Sequence, residues 1–258
     1  MAFSPDYRTT TGATRAAETA AVLDAGLRAY MLRVYNWMAS GLVLTGVVAY
    51  GIAGTSLLDL FYPLVMQPSG RLVHQPTLLA WISIFAPLAF VLVLNIGINR
   101  LSTAAVQALY WAFCLAMGAS MTNLFVIYTG DSVARVFFIT AATFAAMSLY
   151  GYTTRADLTK VGSFLIMGLF GIILASVVNI FVASTALQFA ISVIGVLVFV
   201  GLIAYDTQRI KADFVQFAYA YGPDQAAKRS VYDALGLYLN FVNLFQMLLS
   251  LLGNRSGD

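Results

Sequence analysis

Charge is what this 258-residue chain has least of: Asp, Glu, Lys and Arg make up 10% of it, against 60% hydrophobic residues. Soluble domains run near ~25% charged. A water-soluble fold of this length could not cover its surface with so little charge. The one cysteine, Cys114, excludes a disulfide within the chain and any thiolate metal centre. It lies in an apolar run and reads as a small buried hydrophobe. The one histidine, His74, cannot make a zinc site by itself. It falls in a loop and reads as solvated. With no histidine in any apolar run, Ser120 has no intramembrane base and rhomboid-type proteolysis is excluded. No apolar run contains a lysine, which excludes a retinal Schiff base. No phosphate-binding glycine loop occurs, so no cofactor is expected. The net charge of +3 is small and unevenly placed, which speaks for membrane topology rather than nucleic-acid binding.

Seven apolar runs of 20 to 25 residues are present: 34–53, 78–98, 104–128, 133–152, 162–183, 187–206 and 231–252. About 20 residues at ~1.5 Å each cross a ~30 Å hydrocarbon core. The runs are too long and too evenly apolar for barrel strands, so an all-α membrane protein with seven transmembrane helices is expected. Residues 1–33 lack a signal-peptide pattern. Leu23, Leu27, Tyr30 and Val34 recur at helical spacing, predicting an amphipathic cytoplasmic helix that continues into the first span. The domain reading is an N-terminal segment 1–33, a transmembrane domain 34–252 and a short external tail 253–258. Pro87 is a candidate kink in the second span. Paired small residues (Gly41 and Gly46, Gly118 and Ser120, Gly168 and Gly171, Gly195 and Gly201) permit close helix approach.

Loop charge gives orientation. One side collects Arg8, Arg15, Arg28, Arg33, Arg100, Arg155, Lys160, Arg209, Lys211, Lys228 and Arg229; the other has Arg71, Arg135 and Arg255. The side with eleven basic residues is expected to be cytoplasmic, placing Met1 inside and Asp258 outside.

Polar residues within apolar spans cost free energy unless they face a bundle interior or water. Asp206, in Gly201-Leu-Ile-Ala-Tyr-Asp-Thr-Gln-Arg-Ile210, is the most informative. Thr207 and Gln208 follow it before the basic pair Arg209 and Lys211, so the helix is expected to continue past the aspartate. In the last span Asp233, Asn240, Asn243 and Gln246 form a polar track, with Asp233 and Asn240 seven residues apart on nearly one face. Asn36, Asn95, Gln107, Asn123, Asn179 and Gln188 add polar groups elsewhere. Interhelical hydrogen bonding explains most of these, and a polar pathway is the sharper alternative.

Three ordered stretches, Ser148-Leu-Tyr-Gly-Tyr-Thr-Thr154, Gly201–Ile210 and Leu237-Tyr-Leu-Asn-Phe-Val-Asn-Leu-Phe245, resemble the Bax inhibitor family in its bacterial branch, over roughly residues 28–253. The resemblance implies six helices surrounding a central C-terminal one. It also implies a pH-regulated calcium leak in the plasma membrane, with links to stress tolerance and to membrane-protease regulation. In the family, the sixth-span aspartate pairs with an aspartate of the last span, and two such carboxylates share a proton. Asp206 matches the first. The second position is Asn240, since the family's Leu-Tyr-Leu-Asp-Phe reads Leu-Tyr-Leu-Asn-Phe here. Asp233 is a substitute candidate. A basic residue of the second span latches the sixth-span aspartate in the family, and Arg100 is the candidate for it. Two functions follow: a cation (calcium) leak or channel gated at Asp206, Arg100, Asp233 and Asn240, or a non-conducting protein that regulates a membrane protease or stress response. An intramembrane aspartyl protease built on Asp206 would need a partner such as Asp131, which falls in an outer loop.

Overall fold

The computed structural model describes residues 7–67, 70, 72–97, 100–217 and 223–256; Met1, Arg71 and Asp258, used in the orientation argument, lie outside them. The helices are α1 (Tyr7–Ala53), α2 (Leu58–Phe61), α3 (Leu78–Gly97), α4 (Thr103–Ile127), α5 (Gly130–Thr153), α6 (Thr159–Val182), α7 (Thr185–Phe217) and α8 (Pro223–Leu252). All except α2 are long and apolar enough to cross a bilayer. The fold is an all-α multi-pass membrane protein. α1 is continuous from Tyr7, and the helical spacing read in the tail holds: Leu27, Tyr30 and Val34 are buried. α3 runs unbroken through Pro87.

Local signals explain the ends. The Ser102 hydroxyl accepts the Ala105 N–H and caps α4. α6 stops at Ala183, which takes a left-handed conformation (φ 50°) while its N–H still bonds the Asn179 carbonyl. Asn179 then spends its side chain on the turn: its oxygen accepts the Ser184 N–H, and its amide donates to Gln188.

The 54–77 linker holds an antiparallel hairpin, β1 (Leu64–Met66) with β2 (Leu72–His74), in which Leu64 pairs with His74. His74 is therefore half-buried rather than freely solvated, and its Nδ1 lies 2.6 Å from the Tyr62 carbonyl oxygen. Strands of three residues carry too little alternation to be read in advance.

The core is built on α8, where every residue from Ala226 to Leu251 is buried or half-buried. α8 packs against α1, α4, α5 and α7. α3 packs mainly on α4, and α6 on α7. α3 also reaches α8 through a hydrogen bond from the Tyr232 hydroxyl to the Leu94 carbonyl (2.9 Å). Four main neighbours, rather than a ring of six, thus carry the packing of the last helix. Polar groups tie it across the bundle: Tyr238 to Thr45 of α1 (2.7 Å) and Ser250 to Ser192 of α7 (3.0 Å). In a medium as apolar as the side chains themselves, close packing and such bonds hold helices together. Of the paired small residues, Gly118 sits tight against the Thr45 carbonyl and Val48 of α1, whereas Gly46 and Gly171 face open space. Cys114 is buried beside Tyr110.

At the far end, the tail folds back on the α4–α5 turn. Thr129 N–H donates to the Asn254 carbonyl (3.1 Å), and Ser256 N–H donates to that of Ile127 (3.0 Å).

Candidate functional site

The three sequence stretches converge on the α5–α7–α8 contact. α7 extends to Phe217, so Asp206 sits within the helix and not at its end. Gly151 of α5 lies directly on the Ala204 backbone of α7; a Cβ there would fall 2.9 Å from the Ala204 carbonyl carbon. This approach brings the Ser148 hydroxyl to Thr207 (3.0 Å), and Ser148 also bonds Tyr35 of α1. Gln208 then binds the α5–α6 connection through both ends of its amide. Its oxygen accepts the Leu158 N–H, and its nitrogen donates to the Ala156 carbonyl. In that connection, hydrogen bonds from Thr159 hold the Asp157 carboxyl below the usual carboxylate range.

Asp206 itself is nearly enclosed, with 14% of its side chain exposed. The Asn240 amide of α8 donates to its Oδ2 at 2.6 Å. The Arg209 guanidinium lies 3.0 Å from its Oδ1. These two contacts do different work. Arg209 follows Asp206 by one turn on the same helix and is 45% exposed, so the pair is worth about 0–1 kcal/mol and cannot join two helices. The Asn240 bond crosses from α8 to α7 to an enclosed carboxyl oxygen, worth about 1 kcal/mol or more. The interhelical lock is therefore Asn240. Its amide supplies the hydrogen that a shared proton supplies between two acids.

The other expected site residues separate from this lock. Asp233 lies two turns before Asn240, roughly 10 Å along α8. Its carboxylate accepts the Tyr30 hydroxyl of α1 at 2.6 Å. It thus ties α1 to α8 instead of completing a pair with Asp206. Arg100 is exposed in the turn after α3. It takes part in neither ion pair described here, Arg209–Asp206 and Arg229–Asp213. The expected Arg100–Asp206 latch is replaced by Arg209, because a guanidinium one turn along the same helix reaches the carboxylate without any interhelical approach. Asn243 and Gln246 are half-buried. Asp131 opens α5, twenty residues or about 30 Å of helix from Gly151, which marks the Asp206 level. Asp131 therefore cannot pair with Asp206. Among the described residues no three His, Cys, Asp or Glu side chains gather to hold a metal.

Sequence reasoning missed Arg209, Ser148, Tyr35 and Gln208 as site members. Arg209 carried a readable signal, its i+3 spacing from Asp206. The other three depend on helix rotation, which spacing within one span does not give.

Residues 27–257 match the family model described as inhibitor of apoptosis-promoting Bax1. The chain belongs to the Bax inhibitor family. It is 47% identical over 236 residues to a protein of Caulobacter vibrioides, covering 90% of this chain and 91% of that one. It is 45% identical to protein RP147 of Rickettsia prowazekii, over 90% and 92% of the two chains. It is also 41% identical to the inner membrane protein YbhL of Escherichia coli, over 90% and 94%. The family match covers all three stretches that meet around Asp206, so the lock lies wholly inside the shared fold.

Proposed function

We propose that this Bax inhibitor family protein passes a cation, calcium being the candidate, across a bacterial inner membrane, and that Asp206 gates the passage. The observation that carries the reading is an enclosed carboxylate inside a membrane-spanning helix, locked to the last helix by Asn240. Intramembrane carboxylates of this kind mark ion and proton pathways. Ionised Asp206 holds α7 to α8; neutralising it weakens both of its contacts and frees the two helices. The reading assigns no catalytic step and no bound cofactor. Purified protein in liposomes is expected to admit calcium, and Asp206→Asn to admit it faster and with no response to pH. Flux no greater than in protein-free liposomes would overturn the reading.

A second reading is a non-conducting partner of a membrane protease. The amide at position 240 favours it, since Asn240 removes the second titrating acid. Co-purification of a membrane protease with a flux-negative protein would select it.

The orientation proposed with either reading places the α1 start in the cytoplasm. Two hydrogen bonds support it by gathering basic residues at one end: Lys228 to the Leu101 carbonyl (2.7 Å) and Lys211 to the Tyr152 carbonyl (2.9 Å). A reporter active only outside the cytoplasm is expected to be silent at the N-terminus and active at the C-terminus. The reverse result would invert the assignment.

A further inference from the structure

α1 packs on α4, α7 and α8, while against α5 it leaves a lateral groove. Near the basic end this groove measures about 520 Å³. Met31, Leu32 and Met38 of α1 line one wall, and Phe144 and Leu149 of α5 line the other. Its span on α1, from Arg28 to Ala39, is about 16 Å of helix. Its inner part, from Tyr35 to Ala39, belongs to the first apolar run, so the groove leads from the basic end into the hydrocarbon of the near leaflet. The groove opens between two membrane-crossing helices, so what reaches it in a bilayer comes from the lipid phase. One cation lines it and a second stands beside one of its lining residues. Arg28 lines it directly. The Lys211 ammonium sits 4.9 Å over the ring of Tyr152, another lining residue, with one hydrogen bond spent on the Tyr152 carbonyl. Asp24 lies one turn before Arg28, further out along α1.

We propose that the groove between α1 and α5 holds an anionic phospholipid of the basic-side leaflet, with its phosphate on Arg28 and Lys211 and one acyl chain between Met31, Met38, Phe144 and Leu149. Basic pockets between transmembrane helices on the cytoplasmic side suit anionic headgroups. The apolar depth accounts for the chain, and the two cations select the headgroup. Ser148 lies at the back of the same groove and bonds Thr207, next to Asp206, so the lipid would touch the lock from outside. The site stands on the proposed orientation and is independent of whether the protein conducts.

Native mass spectrometry of the detergent-purified protein, titrated with phosphatidylglycerol or phosphatidylcholine of matched chains, tests it. Phosphatidylglycerol is expected to be retained several-fold more strongly. Arg28→Gln, a change at an exposed side chain, should erase that preference while chain binding persists. Ala145→Trp, which fills the groove, should lower retention of both lipids, and soluble glycerol phosphate should not compete. Equal retention of the two lipids by the parent would overturn the proposal, as would an unchanged preference in Arg28→Gln. Competition by glycerol phosphate would also overturn it by assigning the site to a free anion. A dimer that persists in lipid and is broken by Ala145→Trp would overturn it by giving the groove to a second copy.

Discussion

Replacing Asn240 with aspartate is expected to move the midpoint of calcium flux against pH upward by at least about one unit relative to the parent. The amide nitrogen now sits 2.6 Å from Asp206 Oδ2, and a carboxyl oxygen would take its place. Two carboxylates that close cannot both be ionised, so they bind one proton between them more tightly than a single acid binds its own. The parent has one titrating group at this contact and a fixed hydrogen from the amide. The variant has two groups and a removable hydrogen. Flux measured in liposomes across a pH series, beside Asn240→Ala as a variant with no hydrogen to give, checks this. Coincident pH profiles of the parent and Asn240→Asp would show that the two positions are not coupled.

The largest structural effect is expected from Gly151→Val. The new side chain would enter the Ala204 backbone, which belongs to a helix packed on three sides and cannot retreat like the tip of a flexible side chain. Overpacking of this kind costs about 1–3 kcal/mol, with the upper end expected where the obstacle is backbone. It would also pull Ser148 from Thr207. Gly171→Val is the matched control, since nothing lies within 4 Å of its added carbon. Its effect should stay within about 0.5 kcal/mol. Thermal unfolding of both variants in detergent separates them; equal losses would mean that the α5–α7 contact is not as close as described.

The architecture was legible because a bilayer imposes length. Each of the seven apolar runs became a membrane-length helix, with ends shifted by capping or by the extension of α1, α7 and α8 beyond the apolar stretch. Asp206 stood out because a charge in such a run must be accounted for. Its contact with Asn240 followed from family motifs and not from periodicity. The counter-charge was harder. Arg209 reads only as part of the basic side that orients the chain; with α7 continuing to Phe217, its i+3 spacing turns it back over Asp206. Asp233 resisted for a different reason. Its partner Tyr30 lies some two hundred residues away, on a stretch of α1 before the first apolar run. A tyrosine there gives no sign of which helix it will meet.

The most deeply buried of the spanning helices is also the one that follows the other six. Tyr30, Thr45, Ser192 and Asp206 each find a hydrogen-bond partner on α8. During synthesis these four groups enter the membrane before Asp233, Tyr238, Ser250 and Asn240 exist to receive them. A nascent chain of six spans therefore carries a polar seam that is only partly satisfied: Thr45 keeps the Cys114 carbonyl, Ser192 the Gln188 carbonyl and Asp206 the Arg209 guanidinium, while the Tyr30 hydroxyl waits for Asp233 of the seventh span. A chain stopped ahead of α8 would lack the Asn240 amide at Asp206 and leave that carboxyl to Arg209 alone. Completion of these four cross-helix bonds is thus reserved for the last span.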